Sequence, residues 1–241
     1  MVLVRRPYLP MRQPKDVVPC LGAEHHFRDG RSAKLIAESW FSAGDNLPEI
    51  VRWTLDQVPR LREAELVDSF LERCIELGDG LRPSQADVLT ILGLASELAV
   101  MAVEGKVDES FGQLVSEWLN NASTQKHRRL ARLTNTLGID VAESAALRYQ
   151  LLHRTASAIY EAHRYRAKVA VMMVHSFDPA DVGLSDFKRF SNAMGLPEAD
   201  ATRLVGPVIR EGVDLYLGWA TDRASDGGFV IVNGRKTDAG L

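Results

Sequence analysis

The sequence predicts an α/β fold: a mixed β-sheet flanked by helices, with a helical insertion and C-terminal elaboration. Three observations lead there. Two short apolar runs, residues 87–94 and 97–106, are separated by a turn-like break and read as a β-hairpin. Segments with apolar residues three and four apart flank them and read as amphipathic helices. A continuous apolar run at 167–174 is too short for most helices and reads as a buried, parallel strand.

The length of 241 residues suffices for one large domain with a buried core. Hydrophobic residues make up 46% and charged residues 25%, an ordinary globular mixture. Residues 1–30 carry prolines and polar residues with little periodicity and are expected to form an irregular arm before a single domain spanning 31–241. The N-terminus lacks the apolar core of a signal peptide, no run is long enough to span a bilayer, and Cys20 and Cys74 are too few for a disulfide framework. The expected compartment is cytoplasmic. A net charge of -3 with a pI near 6.1 counts against a protein that coats nucleic acid non-specifically, but not against a local basic groove.

Taken in order, Ser32 is the expected N-cap of a helix whose apolar face is Ala33, Ile36, Ala37, Trp40 and Phe41. Glu38 stands beside that face, either a solvated carboxylate or an additional acid for a metal site. A second helix begins at Pro48 and is stopped by Pro59. Residues 61–77 are compatible with helix or strand, and Gly78-Asp79-Gly80 is a turn signal. After the hairpin, a helix carries Phe111, Leu114, Val115, Trp118 and Leu119. Another starts at Ser123 and holds the most basic cluster in the chain: Lys126, His127, Arg128, Arg129 and Arg132. That cluster reads equally as a solvated face or a phosphate-backbone contact. Residues 143–164 read as a long helix with Arg148, Gln150, His153 and Arg154 off its buried stripe, and the strand after it ends in His175-Ser176. A helix over 185–194 and a strand around 213–219 follow, and Gly227, Gly228 and the end from Asn233 are expected to be mobile.

The hairpin carries the chemistry. With a turn near Ser96, antiparallel pairing brings position 87 opposite positions 104 to 106, so Asp87, Glu104 and Lys106 meet at one end. Glu104 and Lys106 share a strand face, and Gly105 leaves the backbone bare between them. A solvated Glu104–Lys106 pair would contribute about 0–1 kcal/mol and need no function. The sharper reading is a divalent-cation site, because hard cations prefer carboxylate oxygens and a neighbouring lysine can orient water and neutralise phosphoryl charge. His153 and His175 could serve another hydrolase as bases, but no Gly-x-Ser-x-Gly motif accompanies them. Glu24-His25-His26 reads as a surface loop.

The succession of helix, ambiguous segment, strand with Asp87, strand with Glu104-Gly105-Lys106, long helix and strand resembles the common core of the PD-(D/E)XK phosphodiesterase superfamily, the restriction-endonuclease-like fold, over roughly residues 31–176. The resemblance implies a nuclease in which Asp87, Glu104 and the Gly105 carbonyl bind Mg²⁺ or Mn²⁺ while Lys106 assists the attacking water. It implies roles for Glu38, as an extra acid on the first helix, and for Gln150 on the later one. It implies nucleic acid as partner, DNA first, for which Lys126, Arg128, Arg129 and Arg132 of the basic helix are the candidate contacts; no membrane partner is expected, and a homodimer is admitted. Two positions depart from the family pattern: Ala86 stands where many members have proline, and Arg154 stands where one subgroup has tyrosine four residues after the glutamine. A catalytically silent binding or assembly module on the same fold is the alternative.

Overall fold

The computed structural model describes residues 11–222, 229–232 and 235–238. Gly227, Gly228 and Asn233 lie outside the described residues.

A six-stranded mixed sheet forms the centre, in the order β1-β2-β3-β4-β6-β5. Strands β1 (Glu65–Ile75), β2 (Ser84–Gly93) and β3 (Leu98–Lys106) run as an antiparallel meander. The chain then crosses over to β4 (Val169–Ser176), parallel to β3, and β4 is flanked in parallel by β6 (Val213–Thr221). The edge strand β5 (Arg203–Arg210) pairs antiparallel with β6. A separate hairpin pairs β7 (Phe229–Val232) with β8 (Arg235–Asp238). All eight residues of β4 are buried, the pattern of a strand covered on both faces.

Helices α1 (Ser32–Ser42) and α2 (Glu49–Asp56) cover one face of the sheet. They pack Ile36, Trp40, Val51 and Leu55 with Val88, Met101, Val103 and Val171. The other face carries α5 (Tyr149–Tyr165) and α6 (Leu184–Ala193), with Leu152, Ile159, Phe187 and Phe190 in the core alongside Val100, Ala102, Met172 and Val174. Burial of such side chains contributes about 1.5–3 kcal/mol each, so these two clusters dominate the stability of the fold. Helix α4 (Thr124–Leu137) packs outside α5, capped at its start by Ser123 and stopped by Gly138 in the left-handed conformation (φ 64°).

Several elements differ from the sequence reading. Ser32 opens α1 but the cap position is Arg31, without a side-chain cap bond. The segment 61–77 resolves as strand β1. The helix expected around Phe111–Leu119 shrinks to the single turn α3 (Val115–Trp118). The long helix begins only at Tyr149, because residues 143–146 form a separate 3-10 turn and Leu147 is extended. Strand β5 was missed, since Gly206-Pro207 in its middle reads as a breaker; an edge strand tolerates proline, and the β5–β6 register shifts between Val205 and Val208. The expected irregular arm holds two 3-10 turns, Pro14–Cys20 and Glu24–His26, and buries Val17. No helix among the described residues is long and apolar enough to cross a membrane.

Candidate functional site

The hairpin places its polar end as its register demands. Val88 pairs with Val103, so the next step along both strands sets Asp87 against Glu104. The backbone N–H of Gly105 donates to Asp87 Oδ2 over 2.7 Å. Glu104 and Lys106 are each only 3% exposed, which removes the reading of a loose surface pair. They point to the α5 face, whereas Gly105 faces α1: a Cβ there would stand 2.4 Å from Ile36 Cγ1. Only glycine lets α1 approach β3 this closely.

Helix α5 supplies the rest. Gln150 and Arg154 are one turn apart and so share a face. Gln150 Nε2 donates to Glu104 Oε1 over 2.6 Å, and its Oε1 accepts from Lys106 Nζ over 3.1 Å. Lys106 Nζ also lies 3.1 Å from Glu104 Oε1 and 4.9 Å from the Phe111 ring centroid. Arg154 Nε donates to Glu104 Oε2. Its Nη1 donates to Ser84 Oγ over 2.9 Å, and Ser84 Oγ lies 2.9 Å from His153 Nδ1. His153, which the sequence left without a serine partner, has one in β2, though in no recognised hydrolase motif.

These groups line a cleft of about 910 Å³ whose other walls come from the N-terminal turns, from Trp118 stacked 3.9 Å from Tyr149, and from the start of α4. Sequence reasoning missed Glu72, which reaches this cleft from β1. It accepts from Gln85 Nε2 over 2.6 Å and sits between the pairs Leu71–Val88 and Arg73–Ala86, across from Asp87. Its backbone is left-handed, at φ 51°, inside a strand. A non-glycine residue held there costs on the order of 1–3 kcal/mol and persists only where its surroundings fix it.

The electrostatics divide the acids. Burial, then the negative charges of Glu104 and Glu72, pushes the Asp87 carboxyl well above the usual range. Burial raises Glu72 to about 7 against its hydrogen bond from Gln85, with repulsion from Glu104 adding to the rise. Burial also pushes Glu104 up, but the charges of Arg154 and Lys106 outweigh it and hold that carboxyl below its ordinary value. Burial, then the surrounding cations Arg154, Arg129 and Lys106, drives the His153 imidazole well below its ordinary range.

Asp87 Oδ1 and Glu72 Oε1 accept no hydrogen bond among the described residues, and both side chains line the cleft. Hard oxygen donors of this kind suit Mg²⁺ or Mn²⁺, which take one or two protein carboxylates and complete their shell with water. Both Glu104 oxygens, by contrast, already accept hydrogen bonds. Among the described residues no group of three or more His, Cys, Asp or Glu side chains stands close enough to hold a metal ion.

Other expected residues lie elsewhere. Glu38 is exposed, pairs with Lys34 Nζ at 3.4 Å and borders a different cleft on the α1–α2 side, so it does not join Asp87 and Glu104. Of the basic cluster, Arg129 is buried and pinned to Asp79, both its Nε and Nη2 bonds measuring 2.5 Å. Arg132 Nη1 donates to Leu77 O and Gly78 O over 2.8 and 2.7 Å. Both arginines clamp the loop before β2, Arg129 from a buried position and Arg132 from an exposed one. Arg128 is exposed and outside the cleft, while Lys126 lines it, with Nζ 5.0 Å from the Trp118 ring centroid. His25 and His26 sit at the cleft rim in edge-to-face contact.

No curated relative and no solved structure matches the chain. Residues 10–224, which take in the whole six-stranded sheet and every side chain of the cleft, match a family described as a domain of unknown function (DUF6946). The chain belongs to that family.

Proposed function

We propose that this protein is a metal-dependent nuclease that hydrolyses nucleic-acid phosphodiester bonds on a restriction-endonuclease-like core. The observation that carries the reading is the Gly105 N–H to Asp87 hydrogen bond, which seats one acid beside the Glu104-x-Lys106 pair in a cleft. The antiparallel β1-β2-β3 meander followed by a helical crossover to parallel β4 supports the family resemblance, as does Gln150 reaching the site from α5.

Asp87, Glu104 and the Gly105 carbonyl would hold Mg²⁺ or Mn²⁺, which when bound supplies a Lewis acid for the phosphoryl oxygen and lowers the pKa of a water. The chain's own part is positioning. Lys106 has three N–H donors; Glu104 and Gln150 take two, and the third remains for the water or the phosphate. Gln150 fixes Glu104 and Lys106 together, so the ammonium is aimed before substrate arrives. Lys126 at the cleft wall adds an electrostatic pull on the nucleic-acid backbone.

Purified protein incubated with Mg²⁺ or Mn²⁺ and with DNA or RNA tests the proposal. Cleavage that disappears in Lys106→Ala and Glu104→Ala supports it; cleavage that survives both changes assigns the activity elsewhere.

One observation favours a second reading, a catalytically silent binding module. Both Glu104 oxygens are already taken by hydrogen bonds from Lys106, Gln150 and Arg154. Calorimetry that detects no Mn²⁺ binding, together with salt-sensitive nucleic-acid affinity and no cleavage, would select this reading.

A further inference from the structure

We infer that Arg154 forms a phosphate pocket at the floor of the cleft, its Nη2 taking a non-bridging oxygen of a phosphodiester. The inference rests on the nuclease reading for the identity of that phosphate, but not for the existence of the pocket.

The guanidinium is held on two of its three nitrogens. Nε donates to Glu104 Oε2, and Nη1 donates to Ser84 Oγ over 2.9 Å. Ser84 Oγ, which accepts from Arg154, is itself held by a hydrogen bond with His153 Nδ1, 2.9 Å away, so the guanidinium's anchor is fixed from β2 and α5 together. Nη2 makes no hydrogen bond among the described residues, although Arg154 is only 9% exposed and lines the cleft. In a guanidinium, Nη2 shares one fork with Nε. The free donor therefore lies on the Glu104 side, beside the proposed cation. A planar donor fixed in advance is what recognition of a tetrahedral oxyanion needs, and ordering it costs nothing at the moment of binding.

A divalent cation held by Asp87 and Glu104 beside this guanidinium would draw the same phosphate oxygens, so metal and phosphate should strengthen each other's binding, by the same factor in both directions.

The test is calorimetric titration with inorganic phosphate, with and without Mg²⁺, on the full chain. Wild type is expected to bind phosphate, and more tightly with Mg²⁺. Arg154→Lys keeps the charge but loses the fork, and should weaken phosphate about tenfold or more while leaving Mg²⁺ affinity within about threefold. Should that variant fail to fold, Glu104→Gln/Arg154→Gln removes both buried charges together and is titrated without metal, where it should also lose phosphate. Equal phosphate affinity in wild type and Arg154→Lys, or none in wild type, overturns the inference. Phosphate binding that depends on Arg154 in a protein that cleaves nothing removes the nuclease reading and leaves the pocket. Cleavage with unchanged KM in Arg154→Lys does the reverse.

Discussion

The peptide N–H of Gly105 donates to Asp87 Oδ2 over 2.7 Å, so the acid of one strand is fixed by the backbone of the next. The same glycine leaves room for Ile36 on its other side, where a Cβ would come within 2.4 Å of Cγ1. One residue thus sets both the acid's position and the seat of α1. Gly105→Ala is expected to destabilise the protein by about 1–3 kcal/mol through overpacking. Combining it with Ile36→Ala should recover part of that loss, because the two changes share one contact. Urea unfolding of the two single variants and the double variant checks this; strict additivity would show that the clash is relieved elsewhere.

Lys106 is buried, bonded to Glu104 and Gln150, and close to the Phe111 ring, so under the proposed nuclease function its loss should act on the reaction more than on access to the cleft. Lys106→Met, which keeps much of the volume, is expected to lower kcat about 10²–10³-fold with KM changed by less than about threefold. Steady-state kinetics on an oligonucleotide decide it. A rise in KM with kcat intact would make Lys106 a binding residue instead.

The basic helix separates into structural and exposed charges, and their substitutions should separate too. Arg129→Ala strands the Asp79 carboxylate, which hydrogen bonds from Arg129 hold below its ordinary range, and frees the loop before β2. A loss of about 2 kcal/mol or more in urea unfolding is expected. Lys126→Ala should leave stability nearly unchanged but reduce the slope of log affinity for nucleic acid against log salt by about one, while Arg128→Ala changes neither. Equal effects of Lys126→Ala and Arg128→Ala on that slope would deny the cleft its role in binding.

The hairpin was legible because its two apolar runs, its break near Ser96 and the alternation of strand faces fix the register with no help from the rest of the chain. Asp87, Glu104 and Lys106 follow from that local arithmetic, and Gln150 from the helix that the resemblance places after the motif. Glu72 does not follow. Its segment was compatible with helix or strand, and its left-handed backbone breaks the alternation that would reveal its direction. Arg154 was visible as a polar residue off the helix's apolar stripe and as a departure from the family pattern, but its contacts were not, because what it touches, Glu104 and Ser84, comes from two different strands. The fates of Arg129 and Arg132 were hidden for a related reason. A helix face rich in charge looks solvated until the loop that packs on it is known, and that loop, 77–82, arrives from some fifty residues earlier.

Glu72 offers the sharpest test of the cleft's charge balance. Burial pushes its folded-state pKa to about 7, above the ordinary 4.5, so the folded protein holds this proton more tightly than the unfolded chain does. The stability that Glu72 contributes is therefore fully present below pH 4.5 and is lost as pH rises through 7. Glu72→Gln cannot ionise and escapes that loss. The variant should match wild type below about pH 4.5 and exceed it above pH 7 by about 3 kcal/mol, with the difference opening between those values. Urea unfolding of both proteins at pH 4.5, 6 and 8 reads it out. A difference that stays constant with pH would mean that Glu72 titrates alike in the folded and unfolded chain, and that the three carboxyl groups do not share one electrostatic site.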